Sequence, residues 1–164
     1  MSQPNFPRVV FGFLTVRPTP NDGMRGGYLL TSEHGRPIEF HYTSEVRLRG
    51  PQRILFGVRV EEFLEVDLVA LPLTERQSVV PSVVVVDRPA LLELRTRIPA
   101  SVVCLGPSDE PNLPWSIQVH ATQPADLQEF QKAVDFAPPN FDWLEPFERL
   151  SAALSEIRET NLAA

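Results

Sequence analysis

The hydrophobic and polar positions of the chain repeat with two periods, and together they predict a sheet covered by helices. Residues 9–16 and 82–86 are apolar at nearly every position, which is typical of strands that are covered on both faces. Residues 27–33 and 38–43 surround a short turn at residues 34–36, so they predict a β-hairpin. Strands 9–16 and 82–86, the first and fourth in chain order, are therefore expected at the centre of the sheet.

The register of the hairpin follows from the pattern of its second arm. Side chains alternate across a strand, so one face of that arm carries apolar residues and the other carries polar ones. The apolar residues are Ile38, Phe40 and Tyr42, and the polar residues are Glu39, His41 and Thr43. We expect Tyr28 and Leu30 to pair with the apolar face, because this register separates the two classes most cleanly.

Helical spacing predicts the elements that connect and follow these strands. Apolar residues recur at helical intervals over 59–71, and Pro72 is expected to end that helix. A short helix over 90–97 joins strand 82–86 to a strand at 101–105, which makes a parallel βαβ unit.

The C-terminal part predicts an edge strand at 115–120 and two helices, at about 124–136 and 142–159. The first helix is expected to turn Leu127, Phe130 and Val134 inward. An apolar stripe of the second is expected to dock on the sheet, with docking on another protein as the alternative. The stripe consists of Trp143, Phe147, Leu150, Leu154 and Ile157.

This order of elements, β-β-β-α-β-α-β-(β)-α-α, predicts an α/β fold with a three-layer mixed sheet. It resembles the ribonuclease H-like topology, in which three antiparallel strands precede strands that are reached through helices. A Rossmann-like sheet is the alternative. The length of 164 residues fits one domain that spans 1–164, with the C-terminal helices packed on it.

Charge is unevenly distributed along the chain, whose net charge is −6. Residues 1–59 contain eight Arg and four acids, or +4, whereas residues 107–164 contain three basic residues and ten acids, or −7. A negative molecule repels phosphates, so nucleic acid is expected only at a local basic patch. The asymmetry favours a protein partner or self-association.

The chain lacks the patterns of export and membrane insertion. No apolar run approaches the roughly 20 residues that cross a bilayer, and residues 1–5 do not resemble the start of a signal peptide. The single cysteine, Cys104, forms no internal disulfide and is expected to be a buried strand residue. We therefore expect a cytoplasmic protein without a membrane partner.

Asp87 is the first candidate catalytic residue. It directly follows strand 82–86, and α/β proteins bind ligands at the carboxyl ends of such strands. Resemblance to ribonuclease H implies a metal-binding Asp at this point and a helix acid, for which Glu62 or Glu65 could serve. The same pattern requires an acid in the first strand, and residues 9–16 have none. The alternative is that Asp87 caps the helix that begins near Pro89.

Glu39 and His41 are the second candidate catalytic pair. Residues two apart on a strand share a face, so the two side chains could share a proton or bind a metal ion. Two ligands are too few for a zinc site, and a solvated sheet face is the alternative interpretation.

Four arginines form a candidate anion-binding set, because guanidinium groups bind phosphates and carboxylates in a forked geometry. They are Arg47, Arg49, Arg53 and Arg59, with no acid between them. The alternative is a solvated connector, or pairing with the acidic helices of the chain itself.

Two segments resemble an uncharacterised family of bacterial proteins, and this resemblance implies no activity. They run from Gly27 to His41 and from Val84 to Leu91. The sequence contains no phosphate-binding glycine loop, dinucleotide fingerprint, nucleophile elbow or metalloprotease helix. The pair Gly26-Gly27 predicts only a turn.

Without an active-site motif, the sequence favours a non-catalytic interaction or assembly domain of a cytosolic bacterial complex, with no cofactor. The alternative is a divergent metal-dependent nuclease or phosphohydrolase that is centred on Asp87 and uses Mg²⁺. A third hypothesis is a small-ligand sensor that uses the Glu39 and His41 face.

Overall fold

A computed structural model describes residues 9–112 and 114–163, with side chains to Ile157 apart from residue 113. Residues 1–8, where the sequence predicts no signal peptide, lie outside this range. The described residues form one six-stranded sheet. Its strands are β1 (Val10–Pro18), β2 (Met24–Ser32), β3 (Pro37–Tyr42), β4 (Val83–Val86), β5 (Ser101–Gly106) and β6 (Ser116–Val119).

The strand order is β3-β2-β1-β4-β5-β6, which confirms the mixed α/β sheet. Strands β1, β2 and β3 are antiparallel, β4 is parallel to β1, β5 is parallel to β4, and β6 returns antiparallel at the edge. Strands β1 and β4 are central, as their apolar sequences predict. The Rossmann-like alternative fits less well, because such sheets are mostly parallel and the first three strands here form antiparallel ladders.

Helices cover both faces of the sheet. The N-terminal helical residues comprise α1 (Gly50–Phe56), a 3-10 turn (Gly57–Arg59), α2 (Val60–Glu62), a π-helix (Phe63–Ala70) and α3 (Leu71–Glu75). The π-helix, α3 and a 3-10 helix (Pro89–Thr96) cover one face. The other face is covered by α4 (Asp126–Val134) and α5 (Glu145–Ala163).

The expected end of the first helix at Pro72 is wrong. The helical residues continue to Glu75, and Pro72 stands in the first turn of α3. The preceding π-helix has wider turns, and the Leu71 N–H bonds to Val66 O five residues earlier. Because proline has no N–H to place in the ladder, the first turn of a new helical segment tolerates it.

The expected hairpin register is also wrong. Tyr28 pairs with His41 and Leu30 pairs with Glu39, while Leu29 pairs with Phe40. Tyr28 and Leu30 are buried in the cluster beneath the π-helix. A β-bulge explains the difference: Thr31 pairs with Pro37 but Leu30 pairs with Glu39, so β3 has one extra residue between these two pairs. A shift of one residue exchanges the two faces of a strand.

The C-terminal helices dock on the sheet, as expected. Trp143 contacts the rings of Phe11 and Phe130, with centroids 4.8 and 5.0 Å apart. The expected inward position of Leu127 on α4 is wrong. Asp126 is buried there instead, and its Oδ2 accepts a hydrogen bond from Arg95 Nε at 2.8 Å. Across the described residues, no helix has both the length and the apolar character needed to cross a membrane.

Candidate functional site

Asp87 lies where the central parallel strands β1 and β4 end. Its Oδ2 accepts a hydrogen bond of 2.8 Å from Thr15 Oγ1 and lies 3.7 Å from Arg17 Nη2. Its Oδ1 is buried and has no hydrogen-bond partner among the described residues. Burial raises the pKa of Asp87, while the Thr15 hydrogen bond and the Arg17 charge act in the opposite direction. Burial outweighs these two contacts, so the pKa of Asp87 lies above the ordinary value for an aspartate.

Asp87 does not cap the helix that follows it. The 3-10 helix begins at Pro89, its N-cap residue is Arg88, and no side chain makes a cap hydrogen bond. The carboxylate bonds to β1 instead. The interpretation of Asp87 as a helix cap is therefore wrong.

Arg88 joins the sheet to a second carboxylate, Glu65 of the π-helix. Its Nη2 lies 3.0 Å from Glu65 Oε1, and its Nη1 donates a hydrogen bond of 3.2 Å to Val16 O. The side chain of Glu65 is only 2% exposed, and its Oε2 has no partner among the described residues. Burial raises the pKa of Glu65, Arg88 lowers it, and the charge of Asp87 raises it further.

Glu65 is thus the helix acid that the fold brings towards Asp87. The other helix acid considered, Glu62, lies 3.5 Å from Arg97 and is more exposed. Sequence periodicity missed the burial of Glu65, because it placed this residue among the polar positions between the apolar ones. The π-helix shifts that periodicity, since its turns contain more residues than α-helical turns.

The residues around Asp87 do not fit a metal ion. No group of three His, Cys, Asp or Glu residues in the described part of the chain is placed to hold one. Asp87 faces Arg17, Glu65 faces Arg88, and the β1 residue beside Asp87 is Thr15. Two-metal hydrolysis needs several carboxylates on the same ions. These residues offer too few free oxygen ligands for the Mg²⁺ that the ribonuclease H resemblance implies.

Glu39 and His41 lie together on β3, with 2.8 Å between Glu39 Oε2 and His41 Nε2. Glu39 also accepts hydrogen bonds from the N–H and the hydroxyl of Ser78. Burial raises the pKa of Glu39, but the bonds from Ser78 and His41 outweigh it and lower the pKa overall. The pair therefore fastens β3 to the segment after α3.

The fold does not bring the Glu39 and His41 pair to Asp87. Strands β2 and β1 lie between β3 and β4. The register separates them along the strands as well, because Glu39 pairs with Leu30, which pairs with Gly12. Thr15, beside Asp87, lies three residues further along β1. The two candidate sites are therefore distinct.

The four arginines of the candidate anion site are spread over a connector and α1. Arg47 Nε lies 2.9 Å from Glu45 Oε1, and Arg53 Nη2 donates a hydrogen bond of 2.7 Å to Asp22 O. Arg49 is the N-cap residue of α1, and Arg59 ends the 3-10 turn that follows it. All four flank or lie within one exposed helical segment, which consists of α1 and the 3-10 turn after it. They do not converge on one point.

That segment carries the feature that sequence reasoning missed. Helix α1 has no buried residue, and Ile54, Leu55 and Val58 expose 80%, 85% and 100% of their surface. Soluble proteins seldom cluster large apolar side chains in this way without a function. The signal in the sequence is a short apolar run, residues 54–56, between arginines and with no matching amphipathic period.

Comparison with solved structures found distant likenesses. No protein-family model matches the chain, and neither does any curated protein. Human ENDOV matches at 14% identity with a TM-score of 0.47, covering 73% of this chain and 53% of its own. Ciona intestinalis Endonuclease V in complex with an inosine-containing DNA matches at 14% identity with a TM-score of 0.46, covering 78% and 57%.

Marinitoga piezophila Argonaute in complex with guide RNA matches at 11% identity with a TM-score of 0.35, covering 67% of this chain and 18% of its own. The chain spans about half the length of the Endonuclease V structures. All these TM-scores lie below 0.5, so the likenesses assign neither a substrate nor a reaction to this chain.

Proposed function

We propose that the chain is a non-catalytic interaction domain that binds an acidic, partly apolar surface of another protein through α1. The observation that carries this proposal is the exposure of Ile54, Leu55 and Val58 in a helical segment without a buried residue. Burying one such side chain in an interface contributes about 1.5–3 kcal/mol. The three side chains would form the apolar centre of the interface, and contacts around them would have to supply the rest of the affinity.

The structure of the segment supports a formed surface rather than a loose loop. The ring of Phe56 stacks on Phe63 with centroids 4.0 Å apart. Arg53 bonds to the backbone of Asp22. Gly57 ends α1 with φ of 55°, a conformation that glycine adopts without strain. These contacts hold the base of the segment while the apolar side chains face outward.

Charge supports an acidic partner over a second copy of the chain. The segment from residue 46 to residue 60 contains four arginines and no acid. A symmetric dimer through α1 would place the arginines of both copies against each other, and such like-charge contacts are unfavourable. An acidic protein surface would meet the arginines at the rim and the apolar side chains at the centre.

The test compares capture and affinity for matched variants of the full chain. Wild type, Leu55→Ser with Val58→Ser, and Val80→Ser serve as baits in an extract of the native host. Val80 is the control because it is 77% exposed but lies outside the segment. The proposal expects an acidic protein that wild type and Val80→Ser retain and the double variant loses.

The captured protein is then purified, and titration calorimetry measures its affinity for each variant. The double variant should bind at least about ten-fold more weakly, which corresponds to about 1.4 kcal/mol. Added salt should weaken the wild-type complex, because the rim contacts are electrostatic. Equal affinity for all three proteins would contradict the proposal. Binding of the full chain to anionic vesicles, without any captured protein partner, would also contradict it.

A second candidate function is a nuclease or phosphohydrolase that is centred on Asp87. The specific observation in its favour is the raised pKa of a buried carboxyl group with an unpartnered oxygen, beside Arg17, at the carboxyl ends of two central strands. Such a group could donate or accept a proton during phosphate ester cleavage.

Cleavage of DNA, RNA and a chromogenic phosphate ester tests this second candidate across Mg²⁺ and Mn²⁺ concentrations. The comparison uses wild type, Asp87→Asn, and Asp22→Asn as a control in an exposed turn. The second candidate expects activity that Asp87→Asn abolishes and Asp22→Asn retains. Equal rates for wild type and Asp87→Asn would end it.

A further inference from the structure

The described sheet ends in two edge strands, β3 and β6, and they differ in how well they are protected against the addition of another strand. An edge strand turns unpaired N–H and C=O groups outward, and proteins commonly protect it with proline, charged side chains or a bulge. Strand β3 begins with Pro37, carries Glu39 and is bulged against β2. Arg76 Nη1 also donates a hydrogen bond of 3.0 Å to Tyr42 O at the end of β3. Strand β3 is therefore a poor template for a further strand.

Strand β6 shows none of these features. It consists of Ser116, Ile117, Gln118 and Val119, with no charge and no proline, and its register with β5 is continuous. Among the described residues, the hydrogen bonds of β6 are those of its ladder with β5. Alternate residues of a strand turn their N–H and C=O groups to opposite sides. About half of the backbone groups of β6 therefore face outward without a partner in the described part of the chain.

The side chains of β6 also suit an added strand. Ile117 pairs with Leu105, which lies in the core cluster that α4 and α5 cover, so Ile117 faces the same side of the sheet. Ile117 is 36% exposed at this edge, and Ser116 and Gln118 face the opposite side. One side of an added strand would therefore contact an apolar side chain, and the other side would contact polar ones.

The charge around β6 favours a basic partner. Residues 107–142 contain six acids, one lysine and no arginine, or −5. Asp109 and Glu110 lie in the loop between β5 and β6, and Asp135 follows α4, which packs beside β6. These three acids are exposed, and within the described part of the chain they form no ion pair. Lysine or arginine side chains of a bound segment would meet them at the rim of the contact.

We infer that β6 binds an extended, basic segment of another protein as an added strand, in which apolar residues alternate with lysine or arginine. An extended backbone can satisfy a row of outward N–H and C=O groups, whereas a helix uses its own groups internally. A second copy of the chain would bring its own acids against those around β6, so charge disfavours the pairing of two β6 strands. This inference is independent of the acidic partner proposed for α1, because the two surfaces share no residues.

Titration of the full chain with a synthetic peptide tests the inference. The probe is a peptide of about eight residues, the length of an ordinary strand, in which lysine and valine alternate, and fluorescence anisotropy measures its binding. A peptide with glutamate in place of lysine tests the role of charge. A lysine peptide with N-methylated backbone amides tests the added ladder, because it has no N–H groups to donate.

Two lysine substitutions form a matched pair for this titration. Ile117→Lys places a charge on β6, and Ile38→Lys places one on β3, the other edge strand. The two isoleucines are 36% and 38% exposed, and the two variants have the same net charge. Any difference between them therefore reports on the strand that binds the peptide rather than on the total charge of the chain.

The inference expects saturable binding of the lysine peptide by wild type and by Ile38→Lys. Ile117→Lys should bind it at least about ten-fold more weakly, and neither control peptide should bind. Gln118→Glu adds an acid to β6 and keeps Ile117, so it should bind the lysine peptide more tightly than wild type does. This second variant keeps the test decisive if Ile117→Lys folds poorly. Amide hydrogen exchange should become slower in β6 when the peptide binds, and it should stay unchanged in β3 and α1.

Three outcomes would overturn the inference. The first is no saturable binding by wild type up to about 1 mM peptide. The second is equal binding by Ile117→Lys and Ile38→Lys or, if Ile117→Lys does not fold, no tighter binding by Gln118→Glu. The third is a dimer in light scattering that Ile117→Lys separates, because a second copy of the chain would then occupy β6.

Discussion

Glu65 and Leu55 lie ten residues apart in one run of helical residues, yet the carboxylate is buried and the leucine is 85% exposed. The π-helix around Glu65 packs on the sheet through Leu64 and Val69. Helix α1 has no buried residue, and it is held by the stacking of Phe56 on Phe63 and by the hydrogen bond from Arg53 to Asp22 O. Whether a side chain is buried therefore depends on the elements that pack over its segment, and its polarity alone does not determine this. A buried charge needs a partner inside the chain, which Arg88 provides, whereas exposed apolar side chains indicate a partner outside it.

The largest effect should come from truncating a leucine on each side of this comparison. Leu64 is fully buried against the sheet, so Leu64→Ala should lower the free energy of unfolding by about 3 kcal/mol through lost contacts and a cavity. Leu55→Ala should change it by less than about 0.5 kcal/mol. Urea unfolding measures both. A large loss for Leu55→Ala would mean that α1 packs on the chain in solution.

A second, smaller effect concerns the partner of the buried carboxylate. Arg88→Ala removes the cation 3.0 Å from Glu65 and should cost about 2 kcal/mol, below the usual 3–5 for a buried pair because Arg88 is partly exposed. Adding Glu65→Gln should restore part of this loss, since no buried charge then remains. Additive effects in this double-mutant cycle would show that the two groups do not interact.

The pH dependence of stability sharpens the comparison further. The pKa of Glu65 is raised in the folded protein, so the folded state binds its proton more tightly than the unfolded state does. Its contribution to stability is therefore greatest at acidic pH and falls as the pH rises through the folded pKa. The Glu65→Gln variant has no titrating group at this position, so it lacks this pH-dependent contribution to stability.

The difference in Tm between Glu65→Gln and wild type should accordingly shift in favour of the variant between pH 4 and pH 7. Scanning calorimetry at several pH values measures it, with Asp22→Asn as a control for an exposed carboxylate. A difference that stays constant over this range would contradict the raised pKa.

The sequence predicted the sheet well because β1 and β4 are apolar on both faces, and only central strands need that pattern. It also predicted that Asp87 follows a central strand, because the order of elements along the chain fixes that position. Whether Asp87 belongs to a functional site stays a prediction. It misread Gly26-Gly27 as a turn, although both lie in β2. A Cβ on Gly26 would lie 2.5 Å from Val69 Cγ1, and one on Gly27 would lie 3.3 Å from Leu150 Cδ2.

These glycines exist because helices approach β2 from both faces, and such long-range contacts leave no local pattern. The same reason explains the missed residues of the candidate sites. Arg17 and Asp87 are far apart in the sequence, and only the parallel pairing of β1 with β4 brings their side chains together. The exposure of α1 arises because no other described element covers its apolar side chains. The hydrophobic periodicity of the sequence does not show which helices will be covered.

The smallest effect should come from Glu39, whose pKa shifts opposite to that of Glu65. Its folded pKa is lowered, so its contribution to stability is present above its ordinary pKa of 4.5 and is lost as the pH falls through the folded value. Glu39→Gln should cost about 0.5–1 kcal/mol at pH 7, because the hydrogen bonds from Ser78 and His41 lie near the surface.

The cost of Glu39→Gln should vanish in acid, because the stabilising charge of Glu39 is then protonated. The stability advantage of Glu65→Gln should also vanish in acid, because the destabilising buried charge of Glu65 is then protonated. Unfolding in urea at pH 7 and at pH 3 compares the two variants directly. If both variants respond to acid with the same sign, the contrast between a carboxylate held by donors and one held by burial is wrong. Opposite signs would show that the charge of Glu39 stabilises edge strand β3 through its hydrogen bonds. They would also show that the buried charge of Glu65 is destabilising by itself, although it pairs with Arg88, which bonds to Val16 O of β1.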